Sequence, residues 1–380
     1  MSGLTPPPIS LYIHYPWCER KCPYCDFNSH ESAERPERDY VLALLSDLQN
    51  DLKYLQGRAI SSLFIGGGTP SLIDPINLKL LMDGIADSVD FATDFEATLE
   101  ANPGSAEADK FCAFRQAGIN RLSLGIQSFQ DQQLETLGRV HNSDQAHAAI
   151  QMAANAGFDS FNLDIMHGLP GQTVEAAIDD ISTALSYSPR HMSWYQLTIE
   201  PNTVYYRRPP VLPLEDTLGD IQTVGEQLLT RAGLNQYEVS AYSQQDYRCR
   251  HNLNYWSFGD YLGIGAGAHG KVTRDDGSIL RYSKRKQPKE YLRADEATFC
   301  AKSHTLERSE IAGEFMLNAL RMNNGFDLTT FTARTGLQHS DLQPELDTMI
   351  NKGLLQRDEL RLRTTDLGRR FLDSVTAEFF

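Results

Sequence analysis

His14-Tyr15-Pro16-Trp17-Cys18-Glu19-Arg20-Lys21-Cys22-Pro23-Tyr24-Cys25-Asp26-Phe27 places three cysteines within eight residues, spaced C-x3-C-x2-C. They follow a short apolar run, Ile9 to Ile13, that reads as a strand. Pro16 and Pro23 keep the segment out of helix, so the cysteines sit on a loop just past a strand end. Closely spaced thiolates suit a soft metal. A structural zinc site wants four ligands, which His14 or His30 would complete as a Cys3His set. A cubane iron–sulfur cluster held by three cysteines instead leaves one iron open to bind a substrate or cofactor. The loop alone leaves both readings open. A disulfide suits a secreted chain, and nothing else in the sequence looks secreted.

Working outward, 380 residues allow one large domain and a smaller one. Hydrophobic residues at 41% and charged residues at 22% are ordinary for a globular protein. A formal charge of −15 argues against broad electrostatic binding to nucleic acid. The start, Met1 to Ser10, has neither a basic stretch nor an apolar core, so it does not read as a signal peptide. No uncharged apolar run approaches the roughly 20 residues that span a bilayer. The expectation is a cytoplasmic protein that is not integral to a membrane. Cys112, Cys249 and Cys300 are scattered and read as buried small hydrophobes rather than ligands, with both readings open for Cys249, two residues before His251.

From residue 11 to about 235 short apolar runs alternate with longer helical segments. The strand candidates are Leu11–His14, Ser61–Ile65, Phe95–Leu99, Arg121–Gly125, Ser160–Ile165 and Met192–Leu197. Helices are expected at about 37–56, 75–88, 105–117, 144–157 and 173–187. Such βα repeats build a parallel sheet. Six units are fewer than a closed barrel needs, so the fold expected is α/β, a partial (β/α)6 barrel.

In such sheets chemistry gathers at the C-terminal strand ends, and here each end is unusual. Strand two runs into Gly66-Gly67-Gly68-Thr69-Pro70, which suits a close backbone approach to a ligand. Strand three ends in Glu100-Ala101-Asn102-Pro103, and strand four in Gly125-Ile126-Gln127-Ser128, with Arg139 beyond. Strand five ends in Asp164, followed by His167-Gly168-Leu169-Pro170-Gly171. Singly, glycines make turns and Asp or Asn cap helices. Together they mark one functional rim.

The order of Cys18-x3-Cys22-x2-Cys25, Gly66-Gly-Gly-Thr-Pro70, Glu100-x-Asn-Pro, Gly125-Ile-Gln-Ser and Asp164-x-x-x-Gly-Leu-Pro-Gly resembles the radical S-adenosylmethionine superfamily over nearly the whole chain. Within it the chain resembles the oxygen-independent coproporphyrinogen dehydrogenase group and, closest, its heme-chaperone branch. The resemblance implies a [4Fe–4S] cluster on Cys18, Cys22 and Cys25, with S-adenosylmethionine chelated by the open iron. It implies that backbone around Gly67, Gly68 and Thr69 receives the methionine amine. Glu100, Gln127 and Asp164 would meet the ribose, and Arg139 would pair with the carboxylate. Tyr12, Tyr24 and Asp26 are expected beside the cofactor, Tyr24 near the adenine. One departure matters. The dehydrogenases carry a further cysteine two residues after the third, where this chain has Phe27. That disfavours decarboxylation and favours the chaperone branch.

The second mark of that branch is His251-Asn252-Leu253-Asn254-Tyr255-Trp256. His251 and Tyr255 are one helical turn apart, so they share a face. Imidazole ligates heme iron and aromatic rings suit a flat macrocycle. By resemblance His251, Tyr255 and Trp256 are heme contacts; a capped aromatic turn packed on the barrel is the plain alternative. Glycines from Gly263 to Gly270 read as a close approach to the cofactor or rim rather than a dinucleotide fingerprint. Arg281 to Lys289 is the most basic stretch. It reads as a solvated loop, or as a contact for heme propionates or lipid headgroups.

Three regions are expected: the barrel over 1–235, a linking segment over 236–299, and a winged-helix-like α+β module over 300–380. The last holds 10 Lys and Arg against 12 Asp and Glu, a net of −2, which speaks against DNA binding. The resulting expectation is a heme chaperone with heme and an acceptor hemoprotein, membrane-associated acceptors included, as partners. It would be a monomer or a heme-dependent dimer, and would bind no nucleic acid. The alternative is a radical enzyme acting on a tetrapyrrole.

Overall fold

The computed structural model describes residues 4, 6–104, 109–158, 160–295 and 297–380. The six expected strands are present as β1 Ile9–Tyr15, β2 Ile60–Gly67, β3 Phe91–Ala101, β4 Arg121–Gln127, β5 Phe161–His167 and β6 His191–Gln196. They lie side by side in chain order and every neighbouring pair is parallel. This is the partial barrel that the repeats predict.

Residues 236–299, expected as a link, instead complete the same sheet at both edges. β7 Asn235–Glu238 and β8 Ala241–Ser243 extend it antiparallel beyond β6. On the other side β9 Asp260–Ile264 pairs parallel to β1, in register from Ile9 with Asp260 to Ile13 with Ile264. It is a seventh parallel strand. Antiparallel β10 His269–Thr273, β11 Ile279–Lys284 and β12 Cys300–Thr305 follow it. The sheet order is β12-β11-β10-β9-β1-β2-β3-β4-β5-β6-β8-β7.

Strand residues alternate between faces. Leu11, Ile13, Leu63, Ile65, Leu122, Leu124, Leu163 and Ile165 are fully buried in the main core, and burying each contributes about 1.5–3 kcal/mol. That core is closed by α1 Glu37–Asp51, α2 Pro75–Ala86, α3 Phe111–Gln116, α4 Ser143–Asn155, α5 Val174–Ser186 and α6 Glu215–Arg231. Local sequence sets the helix starts. Asp74 accepts a bond from the Ile76 amide ahead of Pro75, Asn142 and Gln145 form a capping box, and Thr173 caps α5. The helix expected over 105–117 is seen as α3; its first residues, 105–108, lie outside the described residues.

The intervening strand residues are polar and meet one another on the opposite, inner face. Ser10 bonds Ser62, Ser123 bonds Asp164, and Asn162 bonds His191. A short helix, α7 Arg250–Trp256, packs against β1, β2 and β9 and carries the HNxxYW motif.

The last region has its own core. α8 Arg308–Ala319, β13 Phe326–Asp327, α9 Leu328–Thr335, α10 Glu345–Asn351, the wing β14 Leu355–Asp358 and β15 Arg361–Thr364, then α11 Asp366–Arg370 and α12 Leu372–Ala377 give the winged-helix-like order. Phe315 stands edge-on to Phe326 and Phe331 at 4.9 and 5.1 Å. Phe258, 5.5 Å from Phe315, joins this core to the barrel. Residues 321–323 are strapped to the sheet edge, the Asn323 amide donating to the Tyr237 carbonyl at 3.1 Å.

The basic stretch 281–289 is largely not a loop. Lys284 lies on β11, 1% exposed, with its Nζ 2.6 Å from Asp47 and 2.8 Å from Asp51 of α1. Arg281 pairs with Glu314 and Tyr261, and Arg285 donates to the Thr298 carbonyl. Most of these charges hold the sheet extension in place, so little of the stretch is free for propionates or lipid. Of the scattered cysteines only Cys249 is buried; Cys112 and Cys300 are exposed, so the expectation fails for those two.

Candidate functional site

A cleft of ≈1580 Å³ opens at the C-terminal strand ends. It runs from Cys18, Cys22 and Cys25 past Glu100, Gln127, Arg139 and Asp164 to Trp256 and Arg321. Tyr24, Asp26, Gly67, Gly68 and Thr69 also line it. The rim motifs therefore converge on one space, as their order predicts.

The cysteine loop is pinned from below. His14 Nε2 donates to the Asn28 carbonyl at 2.9 Å and its Nδ1 accepts from the Tyr12 hydroxyl at 3.0 Å. Asn28 Nδ2 in turn donates to the carbonyls of Ala266 and Lys286 at 2.9 Å. The glycine-rich turn thus backs the loop: a Cβ on Gly267 would lie 2.3 Å from Asn28 Nδ2. Gly67 and Gly68 are dictated by the same packing. Gly67 has φ +117° and its Cβ would meet the His14 ring at 2.5 Å; a Cβ on Gly68 would meet the Trp17 carbonyl at 2.4 Å. Those glycines are required by the chain itself before any ligand is considered.

Burial pushes the Cys18 and Cys25 thiols up, partly offset at Cys18 by the Thr69 and Ser29 hydroxyls. Arg139 Nη1 donates to Cys22 Sγ at 3.6 Å. Among the described residues, no three His, Cys, Asp or Glu side chains converge on a point that would hold a single ion. His14 has both nitrogens engaged, whereas His30, the other candidate for a fourth zinc ligand, has a buried Nε2 without a partner among the described residues. Three thiols on one cleft wall with a cation beside them fit a polynuclear anionic cluster.

Behind the cysteines the polar groups are prearranged. Glu100 Oε2 accepts from the Gly67 amide at 3.2 Å, and burial, with Asp164 nearby, pushes its carboxyl up to about 7. Gln127 takes a left-handed backbone, φ 68°, and its Oε1 accepts from the Tyr195 hydroxyl at 2.8 Å. Arg139 donates to Asn102 Oδ1 at 2.5 Å and to the Gly125 carbonyl at 2.9 Å, and its shielded Nε has no partner among the described residues. Thr69 Oγ1 accepts from Asn102 Nδ2 at 3.2 Å.

Three expected contacts are elsewhere. Tyr12, His251 and Tyr255 do not line the cleft. They form an aromatic column behind it, with His251 4.7 Å from Tyr255, 5.2 Å from Phe64 and 6.4 Å from Tyr12. His251 is 1% exposed; Nδ1 meets Ser62 Oγ at 3.1 Å and Nε2 meets the Tyr255 hydroxyl at 3.0 Å. Burial pulls its pKa down to about 3. Neither nitrogen is free for iron in this arrangement. The shared helix face is real but turned onto β1 and β2, and it is Asn252 and Trp256 that face the cleft.

A chain of side chains joins the cleft to the start of α7. Asp164 accepts from Ser123 Oγ at 2.8 Å and Asn162 Nδ2 at 2.7 Å. Asn162 Oδ1 accepts from His191 Nδ1 at 2.7 Å, and His191 Nε2 accepts from the Tyr237 hydroxyl at 2.9 Å. The Tyr237 oxygen receives the Cys249 amide at 3.2 Å. Sequence reasoning passed over Ser123, Asn162, His191 and Ser193, whose hydroxyl also donates to Asn162 Oδ1 at 3.1 Å. The signal was available: polar residues at every second position of otherwise apolar strands. Arg321 had no such signal, because only the docking of the last domain brings it to the cleft.

Two family descriptions match the chain: Radical SAM superfamily over residues 12–184, and HemN C-terminal domain over residues 306–371. The Escherichia coli K12 protein named heme chaperone HemW is 48% identical over 374 residues, 98% of each chain. The Haemophilus influenzae protein of that name is 47% identical over 98% of each chain, and the Bacillus subtilis one 33% identical over 97% of this chain and 98% of its own. Among solved structures, coproporphyrinogen III oxidase (HemN) from Escherichia coli superposes with a TM-score of 0.83 at 24% identity, covering 98% of this chain and 90% of that one. At that identity the likeness concerns the fold alone.

Proposed function

The chain belongs to the radical SAM superfamily and, within it, to the HemW family, and from that premise we propose that it is a heme chaperone that binds heme and passes it to an acceptor hemoprotein. The observation that carries this reading is full-length similarity, at up to 48% identity, to proteins named for that role. Phe27 supports it, because the residue offered there, 59% exposed beside the third cysteine, has no thiol.

A [4Fe–4S] cluster on Cys18, Cys22 and Cys25 would supply an open iron that chelates S-adenosylmethionine and an electron able to cleave it. The chain's own residues divide the remaining work. Arg139 balances the negative charge at Cys22 and offers its remaining donors to a carboxylate. Glu100 and Asp164 present acceptors to ribose hydroxyls, and Gln127, fixed by Tyr195, adds a third polar partner. Tyr24 covers the cleft beside the cysteines. Trp256 and Asn252 bound the far end, where the cargo would lie, while His251, Tyr255 and Tyr12 brace that wall from behind. No helix among the described residues is long and apolar enough to cross a membrane. A cytoplasmic site of action and a membrane-associated acceptor both remain part of this proposal.

An anaerobic heme titration of the cluster-loaded protein, with and without S-adenosylmethionine, tests the reading. Stoichiometric binding, followed by loss of heme to an acceptor apoprotein, is the expected result. Conversion of coproporphyrinogen III to protoporphyrinogen under reducing conditions, without heme binding, would overturn it. Iron and acid-labile sulfide analysis decides cluster against zinc.

A further inference from the structure

The far end of the cleft is where the C-terminal domain meets the sheet edge, and it carries two unused donors. Arg321 reaches from that domain, its guanidinium 4.3 Å from the centre of the Trp256 ring. This stacking holds the planar fork against the indole. Among the described residues only its Nη2 is engaged, 3.4 Å from Glu238 Oε2, a long contact to a carboxyl that burial pushes up. Arg321 Nε and Trp256 Nε1 are both shielded from solvent and neither has a hydrogen-bond partner among the described residues. Leaving such groups unpaired is costly, and neighbouring pairs of them in native structures call for an explanation.

Both atoms are donors and nothing else; guanidinium and indole have no acceptor to offer. Two N–H groups on stacked side chains, one of them cationic, make a site for a carboxylate. The backbone that carries Arg321 is not free to drift. The Asn323 amide is tied to the Tyr237 carbonyl, and Asn323 Nδ2 donates to the Gln236 carbonyl at 3.1 Å and to its Oε1 at 2.9 Å. The donor pair is therefore built into the seam between the two domains.

We infer that Arg321 and Trp256 form a carboxylate clamp that receives one propionate of the tetrapyrrole cargo, Arg321 giving up its long contact with Glu238 to do so. This rests on the heme-binding reading above and goes beyond it by naming the group on the cargo that is recognised and the domain that recognises it. The macrocycle then lies toward the cysteine end, with its carboxylate edge at the domain seam. Heme release becomes linked to how firmly the C-terminal domain is seated, because the clamp has one residue from each side.

The test compares heme with heme dimethyl ester, which keeps the macrocycle and iron but has no carboxylate. Each is titrated by absorbance into the cluster-loaded full chain. The wild-type protein is expected to bind heme roughly ten- to a hundredfold more tightly than the ester, the worth of one charge-assisted hydrogen-bonded contact. Arg321→Gln weakens heme more than the ester and removes most of that preference. Trp256→Phe, which keeps a ring but not the N–H, reduces the preference in the same direction. A urea midpoint and circular dichroism spectrum close to wild type certify that each variant is folded. Equal wild-type affinity for the two forms overturns the inference alone. So does an Arg321→Gln variant that loses both forms alike, which would make the residue a domain latch only, or one that loses neither. A wild-type protein that binds neither form overturns the parent reading and this inference with it.

Discussion

His251 and Tyr255, one turn apart on α7, are hydrogen-bonded to each other at 3.0 Å, and the other imidazole nitrogen is taken by Ser62. The motif histidine is thus a brace between a helix and two barrel strands. His251→Ala leaves a cavity and an unpaired buried hydroxyl, and is expected to lower the unfolding free energy by about 2–4 kcal/mol, read from the urea midpoint. Tyr255→Phe frees Nε2. It should cost about 1 kcal/mol and leave heme affinity unchanged; a gain in affinity would restore His251 as an iron ligand.

Glu100 gives the cofactor site a pH dependence. Its carboxyl sits at about 7, above its ordinary 4.5, because burial and Asp164 disfavour the charged form. The contribution to fold stability is therefore greatest below 4.5 and is lost as pH rises through 7. Accepting a ribose hydroxyl favours the ionised form. S-adenosylmethionine affinity, measured by calorimetry, is expected to rise between about pH 6 and 7.5 and level off above, with proton release on binding. Glu100→Gln should flatten that profile.

Lys284 compensates Asp47 and Asp51 inside the protein, and even with that cation beside it burial pushes Asp47 up to about 6. Lys284→Met strands two buried carboxyls. It is expected to cost about 3–5 kcal/mol, most of it recovered when Asp47→Asn and Asp51→Asn are added. A denaturation series of the single and triple variants measures both.

Phe27 is 59% exposed, so Phe27→Cys should change stability by less than about 0.5 kcal/mol. The variant regains the fourth cysteine of the dehydrogenase pattern. It is expected to keep the same iron content per chain and to show no coproporphyrinogen III turnover; turnover by the variant would make the missing thiol the one bar to decarboxylation.

The strands and rim motifs were legible because each repeat joins an apolar run to a glycine or carboxylate at its end. Asp260–Ile264 was not, because Gly263 and Gly265 make a short run look like a turn. In the fold they are close-approach residues: a Cβ on Gly263 would lie 1.8 Å from the His269 carbonyl. Lys284 misled for the opposite reason, since a cation in a basic stretch reads as solvated until its carboxylate partners, more than 230 residues earlier, are brought beside it. Side-chain direction was the limit at the site. Period and spacing put His251 and Tyr255 on one face but carry no information on what that face meets. The rim residues needed no such information, because strand ends of a parallel sheet share one edge.

The chain from Asp164 to Cys249 has a consequence of its own. Each member is fixed in one orientation: the carboxylate can only accept, so the Asn162 amide must donate to it. His191 must then carry its proton on Nδ1, and Tyr237 must give its hydroxyl hydrogen to Nε2. The array has a single polarity, running inward from the backbone at the foot of α7 to the rim. A donor arriving at Asp164 would meet a carboxyl whose partners already include Ser123 and Asn162. The floor of the cleft and the first turn of the motif helix are thus the two ends of one buried row of side chains, each with its donor and acceptor settled.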